Sequence, residues 1–336
     1  MRLPLSAIFS ACFFSVATMA AFRVQAEDMP VTIAAGVRDP IYTHLYVAYK
    51  NGYLKEQGLE PKLVITGSGS RAAQLMVTGQ ADATIGNPEH VLVISNEGRA
   101  TVMLAAFDQR NTFGNILVNS DSGLKELSDL KNKPIGITAT GGGAYYYARF
   151  LFQHSGLAPS EIKWINLGSV ANLEGAMRSK RVSAVVASLS MVETAKTQKY
   201  GYTLFDSRDT DAWNKVFGGP MPSSVVYALA DNVKKKPELY RRVVKAMIQA
   251  DDFIKKNSAE TIAEAIVSEM GGQSVPSLVH AIDAYKKTYW RPSGLKIEEP
   301  EYKRWQQFAM DNELLSKQDL DKYGYANLVK DVGAFQ

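Results

Sequence analysis

Apolar positions in this chain fall in short runs separated by amphipathic stretches. Residues 31–35, 61–66, 81–86, 102–107 and 116–118 are runs of strand length. Between them, 42–53, 71–78 and 88–97 carry apolar residues at helical spacing. A second series begins near Asp129. It predicts strands at 134–138, 163–167, 182–186 and 202–206, with helices opening at Thr140 and covering 171–179 and 191–199. One more strand is predicted at 224–229. Beyond it Leu239, Val243, Met247 and Ala250 keep helical spacing, as do Ile262, Ala265 and Ile266, and further helices are predicted at 275–289 and 300–311. Strand–helix alternation of this kind predicts an α/β fold with mostly parallel sheets. The theme occurs twice with different residues, which reads as two lobes and not as an internal repeat.

The first 26 residues read as an export signal. Arg2 supplies the positive start, residues 5–21 the apolar run, and Val24-Gln25-Ala26 a small-residue cleavage site. The expected location is the periplasm, with cleavage after Ala26. Cys12, the single cysteine of the 336 residues, lies inside this segment, so the mature chain offers no disulfide, thiolate metal site or cysteine nucleophile. The whole chain has a formal charge of +4; loss of Arg2 and Arg23 leaves 36 basic against 34 acidic residues, or +2. That balance gives no electrostatic footprint for nucleic acid.

In an open α/β sheet, ligands bind beyond the carboxyl ends of the strands, where the next helices begin and present free N–H groups. This rule nominates loops. In the first series they carry Arg38, Asp39, Tyr42 and Thr43, then Ser68 and Ser70, then Asn87 and Glu89. In the second they carry Thr140, Gly141, Gly142, Gly143, Ala144 and Tyr145, then Asn172, then Ser188 and Ser190. Three successive glycines opening a helix let backbone N–H groups approach an anionic group, an effect worth roughly 0.3–2 kcal/mol; they serve a tight turn equally well. Of Tyr145, Tyr146 and Tyr147, at most one or two can face a cleft, because consecutive helix positions diverge. Tyr42 and Tyr46 share a helix face and suit core or pocket wall alike. Asp39 and Glu89 would either pair with Arg38 and His90 or accept hydrogen bonds from a ligand amine or aminopyrimidine.

Catalytic motifs are missing. His44, His90, His154 and His280 form no H-E-x-x-H or His/Cys cluster, and no G-x-S-x-G elbow occurs. No cofactor and no metal are expected, and the chain reads as a binder, not an enzyme.

Three segments carry a family resemblance: residues 48–59 (AYKNGYLKEQGL), 79–83 (GQADA) and 127–136 (LSDLKNKPIG). They resemble the A-x-E-K-G-[FY]-[FL]-K-x-x-G-[LI], G-Q-x-D-x and L-x-D-L-K-G-K-x-[IV]-G segments of periplasmic solute-binding proteins of ABC importers, in the sulfonate, nitrate, taurine and thiamine-precursor group. Lys50, Asn51 and Asn132 depart from the pattern, at positions not expected to face a cleft. The resemblance implies a two-lobe periplasmic-binding-protein fold of type II, with the ligand cleft between the lobes. It implies lobe 1 at 27–118 and 224–336, the helical tail packing back on it, lobe 2 at 119–223, and crossings near 117–121 and 217–224. It also implies a monomer that captures a small organic anion or heterocycle (sulfonate, aromatic carboxylate or aminopyrimidine) by closure. An ABC permease with its ATPase would be the partner. Two alternatives are a periplasmic sensor subunit and a pyrimidine-synthase-like enzyme; the latter branch carries a cysteine-rich CCCFC motif that is absent here.

Overall fold

The computed structural model describes residues 28–330, so the expected export signal at 1–26 lies outside the described residues. The apolar runs become ten strands among these residues: β1 (Met29–Ala35), β2 (Leu59–Ile65), β3 (Ala83–Gly86), β4 (Thr101–Ala106), β5 (Asn115–Asn119), β6 (Pro134–Ile137), β7 (Lys163–Asn166), β8 (Ala184–Ala187), β9 (Gly201–Phe205) and β10 (Val225–Leu229). The helices of the first part are α1 (Thr43–Lys50), α2 (Tyr53–Glu56), α3 (Gly69–Val77) and α4 (Glu89–Asn96). The second part holds α5 (Gly143–His154), α6 (Val170–Arg178), α7 (Leu189–Thr197) and α8 (Thr210–Phe217). The tail holds α9 (Ala230–Lys235), α10 (Pro237–Lys256), α11 (Ala259–Ile266), α12 (Val275–Ala284), α13 (Glu299–Asp311) and α14 (Tyr325–Leu328).

These strands form two five-stranded sheets, ordered β2-β1-β3-β10-β4 and β7-β6-β8-β5-β9. β3, β4, β5, β8 and β10 are buried along their whole length, which is why they read as continuous apolar runs and not as alternating ones. In each sheet one strand runs against the others, β10 in the first and β5 in the second. Both reversed strands directly follow a crossing between the sheets. A chain arriving from the side where the other strands end must run the opposite way.

The second crossing, residues 218–224, falls where the glycines and prolines predict it. The first does not. It runs over 107–114, ahead of the expected 117–121, because Leu117 and its neighbours already belong to β5 of the second sheet. The apolar character of 116–118 reads as a strand of either lobe, and only pairing with Ala184–Ala187 assigns it. The crossings are bonded to each other. Asp108 Oδ1 accepts from the backbone N–H of Ser223 (3.1 Å) and of Ser224 (2.7 Å). The Phe107 N–H donates to the Ser224 carbonyl and the Met221 N–H to the Gln109 carbonyl.

Two local departures are instructive. The helix expected over 42–53 breaks at Gly52, whose φ of +81° only glycine adopts without strain. Asn132, standing where the family pattern has glycine, takes φ +58°, a conformation asparagine tolerates better than most side chains. The tail packs α10 against α1 and α2 as expected, but it also reaches the second lobe. Phe308 of α13 lies among Tyr147, Phe150 and Phe217, and Arg149 pairs with Glu313 at 3.1 Å.

Candidate functional site

The carboxyl ends of β1, β2 and β3 face those of β6, β7 and β8, and the loops between them touch. Asp39 follows β1 and is fully buried. Its Oδ1 accepts from the Ile41 N–H (3.0 Å) and from the Tyr285 hydroxyl (3.1 Å). Its Oδ2 accepts from Ser188 Oγ (2.8 Å) and from Ser190 Oγ. Ser188 caps the start of α7, so one carboxylate of the first lobe is held by the helix start of the second. Beside it, Asn87 rests on the α5 start so closely that a Cβ on Gly143 would lie 2.0 Å from the Asn87 Cγ. A Cβ on Gly67 would lie 3.2 Å from the Gly168 carbonyl oxygen. Glycine at 143 is therefore required by the approach of the lobes.

Behind this contact lies a set of buried polar groups. Glu89, at the start of α4, accepts from Trp305 Nε1 through Oε1 (2.9 Å), while its buried Oε2 has no hydrogen-bond partner. Burial pushes its carboxyl up to about 8, against the opposing effect of the Trp305 bond. Burial likewise raises the Asp108 carboxyl to about 7, opposed by the N–H groups of Ser224 and Ser223. The Tyr147 hydroxyl, Asn111 Nδ2, Thr112 Oγ1 and Ser223 Oγ are also buried and make no well-formed hydrogen bond. They are neighbours: the Tyr147 phenol is raised by burial and then by the charge of Glu89, with Ser223 and Asn111 close enough to favour its ionised form. Aromatic rings wall this region, with Tyr147 against Phe308 (centroids 4.6 Å) and stacked on Trp213 (6.2 Å). His90 shares a hydrogen bond with the Tyr227 hydroxyl (3.2 Å), and burial lowers its pKa to about 4, so it is neutral at pH 7. It does not pair with Glu89.

Of the residues expected from sequence, Asp39, Asn87, Glu89, Gly143, Ser188 and Ser190 meet at this interface. Tyr42 is buried near Asp39, which raises its phenol further after burial itself. Tyr46 donates to the Val37 carbonyl within the core. Ser68 is buried and caps α3; Ser70 and Gly141 line a groove of about 350 Å³ with His90. Arg38 is exposed at the rim, where it donates to the Glu269 carbonyl and borders a groove of about 430 Å³ shared with Ser169, Val170 and Glu174. Other expected residues serve local structure. Thr43 donates to the Pro40 carbonyl (2.6 Å). The exposed Thr140 donates from both N–H and Oγ1 to Asn166. Gly142 and Ala144 are buried at the start of α5. Tyr145 packs edge-on against Trp164 of β7 (5.1 Å). The exposed Asn172 donates to the Leu167 carbonyl (2.7 Å).

Asp108, Asn111, Thr112, Tyr147, Ser223, Tyr285 and Trp305 join the site without having been expected there. Tyr147 was within reach, as the third tyrosine after the glycines. The others lie on the crossings and in the tail, where the strand-end rule does not look. Among the described residues, no group of three or more His, Cys, Asp or Glu is placed to hold a metal ion.

Residues 39–261 match the family model described as NMT1/THI5 like. The Bacillus subtilis protein YtlA, named as a candidate binding protein, is 22% identical over 281 residues, which are 82% of this chain and 81% of its own. A solved structure from Bordetella bronchiseptica RB50 superposes with a TM-score of 0.80 at 25% identity, covering 90% of this chain and 94% of the other. The alkanesulfonate-binding protein SsuA from Xanthomonas axonopodis pv. citri, solved bound to MOPS, superposes at 0.71 with 16% identity, over 87% of this chain and 96% of its own.

Proposed function

Because the chain belongs to the NMT1/THI5-like family, we propose that it is the solute-binding component of an ABC importer. It is exported to the periplasm, closes two lobes over a small organic solute and hands that solute to a membrane permease unchanged. One lobe is the chain before the first crossing together with the segment from β10 onward, and the other runs from β5 to α8. The observation that carries this reading is the group of buried, unpartnered polar atoms at the lobe interface: Glu89 Oε2, Tyr147 OH, Asn111 Nδ2 and Ser223 Oγ. Each such atom costs about 1–3 kcal/mol when it stays unsatisfied, so natural proteins keep few of them outside functional sites. A solute that completes them is held by residues of both lobes. It therefore binds the closed arrangement better than the open one and shifts the population toward it.

The test uses the mature chain from Glu27. A solute that raises its thermal midpoint should also lower the radius of gyration in solution scattering, and NMR of the recovered solute should show it intact. Binding without compaction removes closure from the reading, and chemical conversion of the solute removes transport.

A further inference from the structure

The solute-binding reading leaves open which side of a hydrogen bond the solute supplies; the following rests on that reading and deepens it. We propose that Glu89 works as a carboxylic acid whose Oε2 donates to the solute, so that the solute presents an acceptor there, a carbonyl-type oxygen, and its capture depends on a proton held by the protein.

Glu89 is fully buried at the start of α4. Besides burial, the groups that act on its carboxyl are the Trp305 indole, its own backbone N–H and the Asp108 carboxyl, and none of them is a cation. The other titratable groups around it are acids or neutral. Asp108 stands on the first crossing. The phenols of Tyr146 and Tyr147 on α5 and of Tyr227 on β10 are raised first by burial, with the charge of Glu89 adding to it. His90, next on α4, is neutral at pH 7. The arginines of the surrounding elements are held elsewhere: Arg110 by the Ser207 and Arg208 carbonyls, Arg149 by Glu313 and Arg291 by Glu301. A buried carboxyl without a pairing cation keeps its proton and gives up its charge, in keeping with its rise to about 8.

Trp305 fixes where that proton sits. Its indole N–H donates to Oε1 at 2.9 Å, so Oε1 is the carbonyl oxygen and Oε2 carries the hydrogen. Oε2 is buried and has no hydrogen-bond partner in the protein. Its surroundings are rich in donors. Asn111 Oδ1 accepts from the Phe113 N–H at 2.7 Å, which leaves Nδ2 to donate. The Tyr147 hydroxyl and Ser223 Oγ can donate as well. Arg110 Nε, Arg149 Nε and Arg291 Nη1, also buried without a well-formed hydrogen bond, are donors only. Once Glu89 carries its proton, Asn312 Oδ1 is the one such atom among the described residues that is confined to accepting. A chamber with donors to spare takes a solute that brings acceptors. This holds for a neutral and for an anionic solute alike, so the class is set by the sense of the hydrogen bond and not by net charge.

The probes are N,N-dimethylbenzamide, whose carbonyl only accepts and does not titrate near neutral pH, and phenethylammonium, which only donates. Both are titrated to millimolar concentration by thermal shift and calorimetry on the mature chain. The amide should raise the midpoint at pH 6 and the ammonium should not. Amide affinity should fall about tenfold from pH 7 to pH 9, as the carboxyl loses its proton. Glu89→Gln keeps a donor in place, because the Trp305 N–H holds the amide oxygen at the Oε1 position and turns the NH2 group to that of Oε2. It should therefore retain amide binding at pH 6 to within about threefold and lose the pH dependence, whereas Glu89→Met should weaken binding about tenfold. A loss of about tenfold in Glu89→Gln at pH 6 overturns the proposal, since Oε2 would then be an acceptor. Persistence of the pH dependence in that variant assigns it to Asp108 and overturns the proposal too, as does the absence of any shift with the amide. Phenethylammonium that binds and compacts the protein also overturns it, yet leaves capture by closure standing. The amide bound with the expected pH profile but without compaction supports the Glu89 assignment and removes closure instead.

Discussion

Asp39 and Glu89 occupy equivalent places in the first lobe. Each sits just past a strand end, at the start of a helix, fully buried where the lobes meet. Their surroundings differ in one respect. Asp39 is ringed by donors from both lobes and from the tail, so its charge is spent on holding the protein to itself. Glu89 has one donor, a tryptophan N–H, and an oxygen left over. The strand-end rule places a carboxylate at the cleft, but the number of donors the protein turns toward it decides whether it latches or reads. A saturated carboxylate should govern stability and an unsaturated one affinity.

The sharpest way to break this contrast is Asp39→Ala. It strips the acceptor from Ser188, Ser190 and Tyr285 together, and should cost about 3 kcal/mol of stability in denaturant unfolding, the range for losing charged hydrogen bonds in a buried site. A loss below about 0.5 kcal/mol would mean the latch is idle. The next effect is in pH. Burial raises Glu89 to about 8 and Asp108 to about 7, so the folded protein binds protons that the unfolded chain releases at lower pH. Their contribution is fully present below the unfolded carboxyl pKa values and is lost as pH rises toward 8. Each group lowers stability by at most about 1.4 kcal/mol per pH unit in that window. Thermal midpoints without solute should therefore fall from pH 5 to 8, and Glu89→Gln should flatten the slope; an unchanged slope would remove Glu89 as its source. The smallest expected effect on stability is Tyr147→Phe. The hydroxyl makes no well-formed hydrogen bond to the protein, so its loss should change stability by less than about 1 kcal/mol while weakening solute binding several-fold. A large loss of stability would show that Tyr147 belongs with Asp39 and not with Glu89.

What is legible in the sequence follows the same division. Apolar runs of strand length mark all ten strands found among the described residues, and period-3.6 spacing marks most helices, because burial of a strand or a helix stripe leaves its mark in the sequence. The strand-end rule found Asp39, Glu89, Asn87 and Ser188 for the same reason. Asn111, Thr112 and Ser223 escaped, since a polar residue on a crossing looks like any loop residue until the second crossing lies beside it. Trp305 reads as one more apolar position on an amphipathic helix, and its contact with Glu89 spans 216 residues. The strand-end rule points to Tyr145 and passes over Tyr147, because nothing local tells which of two tyrosines turns toward Trp164 and which toward Phe308.

The mutual bonding of the crossings has a mechanical consequence. Two strips stitched by Asp108 and by the Phe107 and Met221 N–H groups are joined into one connection, so under the proposed closure they should bend together and the halves should swing about a single line. Because one stitch is an acid with a pKa near 7, the stiffness of that connection is tied to its own ionisation.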